Sequence, residues 1–416
     1  MEQQPKRREP ILAIDVLKVD YGSTTIKLIR PGHPEKTIET FWGHDKLADY
    51  YERYHQALKK FRYELSDSLD QKPVALARAL QALFQYGKVG FADIFEDSFP
   101  EITDYLMKHA LVGGSNYARR TPPHVIEVRT ETTTDIIPIE CLVMVDSKYE
   151  IEDLRDVLSA ASGILGFSFI IKRVITRTRQ SQKRYLDNVP RLPVKYFCDK
   201  SLKGAEDECA FFKEHEEFLC LEGPWPHEYT ASTASDFVRH LCRPDTRFGC
   251  TDGADTGYSQ RDEIHHISCH CFTNEKDSWK SGLQLVGERI TLEVMKERWT
   301  KFYREARNRP MEMPLVFLNA CGSSEVTPKG MASFLEFFLV KNGNCGFIGC
   351  ESRIPDIFAS QFSKQFYLHL LRGFGVGEAV FWARRKLLER HKNPLGILYT
   401  AYVDPYLRVA KAANID

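Results

Sequence analysis

No uncharged apolar stretch of this 416-residue chain approaches the ~18–20 residues that a membrane-spanning helix requires. The N-terminus, MEQQPKRREP, is charged, and the apolar run after it (ILAI) stops at Asp15, too short for the core of an export signal. The chain is therefore expected to stay where it is made, most simply in the cytoplasm. Net charge is also absent, since 57 basic residues balance 57 acidic ones. That excludes the basic excess of a dedicated nucleic-acid binder and the charge excess of a disordered chain. No CxxC pair occurs among the eleven cysteines, so a zinc knuckle is not expected. Their odd number, without an export signal, argues for reduced thiols over a disulfide framework. No GxxxxGK[ST] loop is present, and GFGVGEA (373–379) joins two helical patterns without following a strand, so nucleotide-binding loops of both common kinds are excluded. There is no internal repeat.

What is present is core material. Hydrophobic residues make up 43% of the chain and aromatics 12%, at a length that suits one large or two packed domains. ILAIDVLKVDY and TTIKLIRPG alternate apolar and polar residues around Gly22, which predicts a hairpin. Residues 44–66 and 73–87 predict amphipathic helices, the second opening on Pro73 and burying Leu76, Leu80, Leu83 and Phe84. Pro122 and Pro123 punctuate the chain, and a soft boundary near residue 120 divides an N-terminal module (1–120) from a larger domain (121–416).

Beyond it, apolar runs of strand length at 124–128, 139–145, 167–174, 192–198, 216–222, 262–269, 313–321 and 344–350 alternate with helical patterns. Those patterns cover 151–165, 203–215, 232–242, 291–308 and 329–341, with two more at 357–372 and 376–391. This order predicts an α/β domain with a mostly parallel sheet flanked by helices on both faces. Residues 172–184, KRVITRTRQSQKR, hold six basic residues and no acid. They read as a solvated linker, with a phosphate-binding or regulatory loop as the alternative.

Functional groups in such sheets collect at the carboxyl ends of strands. DEIHHISCHCF ends in His270, read as the last position of its strand, and PLVFLNACGSS ends in Cys321, 51 residues later, with room for one crossover helix between them. On neighbouring strands, both side chains would emerge at one rim. An imidazole beside a thiol is the minimal apparatus for nucleophilic attack on a carbonyl. Backbone N–H groups of Cys271, Cys321 and Gly322 would form an oxyanion hole at the turns after the two residues. By strand alternation, His266, Ser268 and His270 share one face, and His265, Ile267, Cys269 and Cys271 the other. His265 and His266 then read as packed or hydrogen-bonded residues. A zinc site from His265, Cys269, His270 and Cys271 is not expected, because neighbours on opposite faces do not converge on one ion.

These segments resemble a known family. NACGS (319–323), preceded by PLVF, resembles the nucleophile segment of caspase-like (clan CD) cysteine proteases, with the histidine about 50 residues upstream. More closely, IHHISCHC and LVFLNACGSS resemble the His and Cys segments of the CHAT domain, a caspase-like protease domain related to separases. Residues 345–387 resemble the strand, loop and two helices that follow, and DIIPIECL (135–142) a short Pro-Trp-Glu-Leu-Leu-like segment, with Ile139 in the Trp place. The resemblance spans roughly residues 120–416.

It implies a caspase-like fold with His270 as general base or acid and Cys321 as nucleophile. Two departures stand out: Cys271 replaces the common glycine after the histidine, so that a Cβ crowds the oxyanion wall, and Gly322 stands where many relatives carry Glu. The resemblance also implies a substrate-side-chain pocket in loops after the Cys strand and the next strand, where Glu325, Glu351 and Asp356 would favour a basic residue and Arg353 an acidic one. No cofactor or metal is implied. The expected partner is a protein substrate, a gasdermin-like protein or another effector of bacterial defence or cell death, with an activating partner or ligand left open. The alternative is a catalytically silent scaffold or ligand-sensing module on the same fold.

Overall fold

Alternation of apolar residues builds the first sheet. In the computed structural model, which describes residues 8–19, 24–40, 44–96, 101–111, 122–133, 137–144, 161–178, 181, 183–188, 190–225, 233–242, 263–274, 276–285, 288–305, 313–320 and 328–415, the N-terminal strands β1 (Leu12–Val19) and β2 (Thr24–Ile29) form the expected antiparallel hairpin. Leu12, Ile14 and Val16 enter the core from β1, and Ile26 and Leu28 from β2. A third strand, β3 (Lys36–Thr40), pairs with β2; KTIET carries too little apolar signal to mark it. Helices α1 (His44–Tyr63) and α2 (Pro73–Phe91) follow, and α2 buries all four residues that its spacing selects. The unit also holds α3 (Ile102–His109), β4 (Val125–Thr130), the short α4 (Leu165–Ser168) and β5 (Ile170–Ile175). Sheet order is β3-β2-β1-β4-β5, with β4 parallel to both β1 and β5.

Chain packing therefore divides differently from the boundary near 120. One compact unit comprises residues 1–176, 376–397 and 404–406, and the other 177–375, 398–403 and 407–416. The physical reason is the β1–β4 ladder, which builds residues 125–130 into the N-terminal sheet. The basic run also departs from the linker reading. Lys172 and Arg173 lie in β5, and Arg173 is buried, its guanidinium donating to both oxygens of buried Glu140 and to the Ile137 carbonyl. Lys183 and Glu263, both of the second unit, pair with each other. Most of the helix expected at 151–165 lies outside the described residues.

The second unit contains β6 (Tyr185–Leu186), β7 (Leu192–Cys198), α5 (Lys203–Glu214), β8 (Leu219–Trp225), α6 (Thr233–Cys242), β9 (Ile264–Phe272), β10 (Gly282–Leu285), β11 (Glu288–Thr291) and α7 (Leu292–Glu305). Then come β12 (Met313–Ala320), α8 (Pro328–Leu335), a π-helical segment (Glu336–Asn342), β13 (Asn344–Cys350), α9 (Asp356–Leu371), β14 (Tyr399–Val403) and β15 (Arg408–Val409). The helix Val376–His391, here α10, belongs to the first unit. Strands β8, β7, β9, β12 and β13 run parallel, and β14 closes the edge antiparallel. β6 and β15 pair separately.

Every residue of β7 and β14 is buried, as expected of strands covered on both faces. Ring contacts show which helices cover which face. Tyr196 of β7 meets Phe212 of α5, and Phe317 of β12 stacks on Phe366 of α9 at 5.0 Å. On the opposite face Phe197 meets Phe237 of α6, and Phe347 of β13 meets Phe338 of the π-helical segment. The fold is α/β, with a mostly parallel sheet between helical layers. Among the described residues, no helix is long and apolar enough to cross a membrane.

Candidate active site at the carboxyl ends of the parallel strands

β9 is the central strand of the second unit's sheet, and its partners change along its length. β7 pairs with it from Ile264 to Ser268, where Asp199 N–H donates to the Ser268 carbonyl at 2.8 Å. From His270 to Phe272 the same edge pairs antiparallel with β10, with Gln284 opposite His270. The other edge pairs with β12, and the last partners are Ala320 and Cys269. His270, partly exposed, thus lies where a parallel neighbour gives way to an antiparallel one. It is not the last residue of the strand, as the sequence suggested, because the β10–β11 hairpin extends β9 to Phe272.

Cys321, Gly322 and Glu325 lie outside the described residues. In chain order, His270 and Cys321 immediately follow the Cys269–Ala320 pair. Cys271 sits in a strand rather than a turn. Its side chain is buried on the Cys269 side, on the face away from His270, so its Cβ does not crowd the His270 side. Backbone groups alternate between the edges of a strand. Ser268 directs its carbonyl to the β7 edge, which by alternation sends the Cys271 N–H to the edge that β12 occupies as far as Ala320.

The strand alternation is as expected. His265 is buried on the α6 face against Phe197, and His266 on the α5–α9 face against Tyr367. Burial raises the Cys269 thiol well above its usual range, with Cys271 adding to the effect. Burial also pushes Cys198 and Cys350 up to about 12. The nine described cysteines are thiols.

The residues proposed for a substrate pocket divide. Arg353 is exposed and Glu351 is buried, its N–H donating to the Leu398 carbonyl. Asp356 opens α9, and its carboxylate accepts from the backbone N–H of Lys203 at 3.1 Å and of Ile357 at 2.8 Å. That ties the start of α9 to the start of α5. β13 is parallel to β12, so Glu351 comes to the same sheet edge as Ala320.

Beneath His270 lies a buried polar cluster that the sequence did not disclose. Glu208 of α5 accepts at Oε2 from Tyr196 (2.9 Å) and Ser268, and at Oε1 from Asn319 and Ser363 (2.6 Å). His266 Nε2 lies 3.3 Å from Oε2 and 3.0 Å from Ser268 Oγ. The single Ser268 hydroxyl proton goes to Glu208, so toward His266 the oxygen accepts, which places a proton on Nε2. Burial alone would raise the Glu208 carboxyl. The His266 charge and the hydrogen bonds from His266, Ser268 and Ser363 outweigh it and hold the carboxyl below its ordinary value.

Two signals of this cluster were on view. Glu208 falls in the same helical stripe as Gly204, Ala205, Phe211 and Phe212, all buried, and Asn319 interrupts an apolar strand. Among the described residues, no group of three or more His, Cys, Asp or Glu is arranged to hold a metal ion.

Comparison with known proteins finds similarity in sequence and in structure. A family model described as the CHAT domain matches residues 248–407. A probable protease of Vitiosangium sp. (strain GDMCC 1.1324) is 32% identical over 127 residues, 30% of this chain and 16% of that protein. This chain therefore spans about a sixth of that relative's length. Two crystal structures of the Saccharomyces cerevisiae separase–securin complex superpose on 96% of this chain and 30% of theirs, with TM-scores of 0.48 and 0.44 and identities of 10% and 11%.

Proposed function

We propose, from the match of residues 248–407 to the CHAT-domain model, that the chain is a cysteine endopeptidase whose dyad is His270 and Cys321. His270 takes the thiol proton, and the Cys321 sulfur attacks the carbonyl carbon of the scissile bond. Backbone N–H groups of Cys271, Cys321 and Gly322 stabilise the oxyanion. Collapse breaks the C–N bond, and His270 returns the proton to the departing amine. Water, deprotonated by the same imidazole, then hydrolyses the thioester.

The observation that carries this reading is the β9–β12 register. The two strands are parallel neighbours whose last described partners, Cys269 and Ala320, immediately precede His270 and Cys321. The direction of the Cys271 N–H toward that edge supports its oxyanion role. The substrate would be a specific protein, with Glu325, Glu351 and Arg353 as the charges nearest in sequence to a specificity pocket. Asp356 is the weakest member of that set, because its carboxylate already accepts from the Lys203 and Ile357 backbone N–H groups. A cytoplasmic enzyme of defence or cell death, acting on a gasdermin-like or other effector, is the setting that the resemblance to this family suggests.

Limiting iodoacetamide tests the dyad without a substrate. Peptide mass spectrometry follows each thiol at neutral pH in wild type and His270→Ala. Cys198 and Cys350, at about 12, serve as slow references, since their thiolate is a trace species at neutral pH. Cys321 is expected to lead all other thiols and to lose that lead, on the order of tenfold or more, without His270. A Cys321 as slow as the references would favour the non-catalytic scaffold.

A further inference from the structure

Ser268 stands two residues before His270, and Asn319 two residues before Cys321. They are partners in the β9–β12 register. Each donates to a different oxygen of one carboxylate, Ser268 Oγ to Glu208 Oε2 and Asn319 Nδ2 to Glu208 Oε1. We infer that Glu208 is a positioning residue, a clamp that holds the ends of β9 and β12 at the spacing that His270 and Cys321 need. The inference rests on the reading of those two residues as a dyad.

Several observations distinguish the clamp from ordinary packing. An apolar side chain at 208 would fill the stripe of α5 without the cost of desolvating a carboxylate, so burial alone does not explain a glutamate there. What a carboxylate adds is direction. Tyr196 brings β7 to it, Ser268 and His266 bring β9, Asn319 brings β12, and Ser363 brings α9. Asn319 has one permitted orientation: Nδ2 faces the carboxylate and the Ala359 carbonyl at 3.1 Å, while Oδ1 accepts from the Tyr399 hydroxyl of β14. A flipped amide would set oxygen against both acceptors. The clamp thus spans β7, β9, β12 and β14 directly below the rim, and a misplacement of ~1 Å in an attack geometry costs on the order of 100-fold in rate.

The test compares the pH profile of Cys321 alkylation in wild type, His270→Ala, Glu208→Gln and Glu140→Gln, the last a destabilising change in the other unit. Glu208→Gln is expected to unfold cooperatively with a native circular dichroism spectrum. It should lose the His270-dependent lead of Cys321 by ~10- to 100-fold, its profile moving toward that of an ordinary thiol. Glu140→Gln should keep the wild-type profile. A folded Glu208→Gln with the wild-type profile overturns the clamp and leaves the dyad standing. A wild type without any His270-dependent lead overturns the dyad reading, and the clamp with it. Should Glu208→Gln not fold, Ser268→Ala and Asn319→Ala each remove one half of the clamp, and unchanged profiles in both overturn it.

Discussion

At the scale of single residues, the second unit is governed by how its buried charges are met. Glu208 and Glu263 are both buried carboxyls, yet they move in opposite directions. For Glu263, burial outweighs the nearby Lys183 charge and raises the carboxyl. For Glu208, burial is outweighed by His266 and the hydroxyl donors, and the carboxyl falls below its ordinary 4.5. The folded state therefore binds the Glu208 proton less tightly than the unfolded chain does. Its contribution is complete above ~4.5 and is lost as pH drops through the lower folded value. Glu208→Gln is expected to be less stable than wild type by about 2–3 kcal/mol at neutral pH. In urea titrations at stepped pH, that gap should close on acidification below ~4.5. A gap of constant size would mean that shape, and not charge, is what the site requires. His270 itself was legible as a polar residue near the end of an apolar strand, whereas Glu208 was not, because its five donors come from four separate elements.

At the scale of elements, helices α5 and α9 show how a local preference yields to packing. Gly204 lies inside α5, where alanine is favoured by about 1 kcal/mol on helix propensity. A Cβ there would lie 2.4 Å from the Asp356 carbonyl oxygen, at the point where the two helices start side by side. Backbone cannot yield as a flexible side chain would, so Gly204→Ala should lower stability by about 1–3 kcal/mol despite its better propensity. Chemical denaturation decides the sign, and a stabilised variant would show that the helices separate at little cost. The elements that the sequence concealed are the short or weakly patterned ones. β10 and β11 have four residues each, and they acquire their ladder from β9 and from one another. Their effect falls on the site, because they extend β9 past His270.

At the scale of the whole molecule, the path of the chain couples its ends. The first unit takes α10 from near the C-terminus, and the next residues, 398–403, return to the second unit as β14. In the first unit Arg385 donates to the Phe167 carbonyl at 2.6 Å and to Leu111 at 3.3 Å, and Arg384 to Gly166 at 3.1 Å. Residues 1–176 expressed alone would leave those carbonyls and the apolar face beneath α10 uncovered. That fragment should show no cooperative unfolding transition by circular dichroism, while the full chain does. A fragment that folds by itself would show that the N-terminal sheet is self-sufficient and that α10 only decorates it.

Periodicity and strand-length apolar runs are local properties of the chain, so the sequence by itself determined the α/β class and most of the described helices, and it nominated His270 and Cys321 as the dyad proposed above. It determined them because a two-residue or 3.6-residue repeat reports which face a side chain will occupy, whatever that face later meets. Only tertiary structure decided which strands are neighbours, that residues 125–130 join the N-terminal sheet, that Arg173 is buried on Glu140, and that Glu208 gathers Ser268 and Asn319 under the rim. Those outcomes depend on contacts between residues tens to hundreds of positions apart, where no repeat carries information and hydrogen-bond geometry makes the selection.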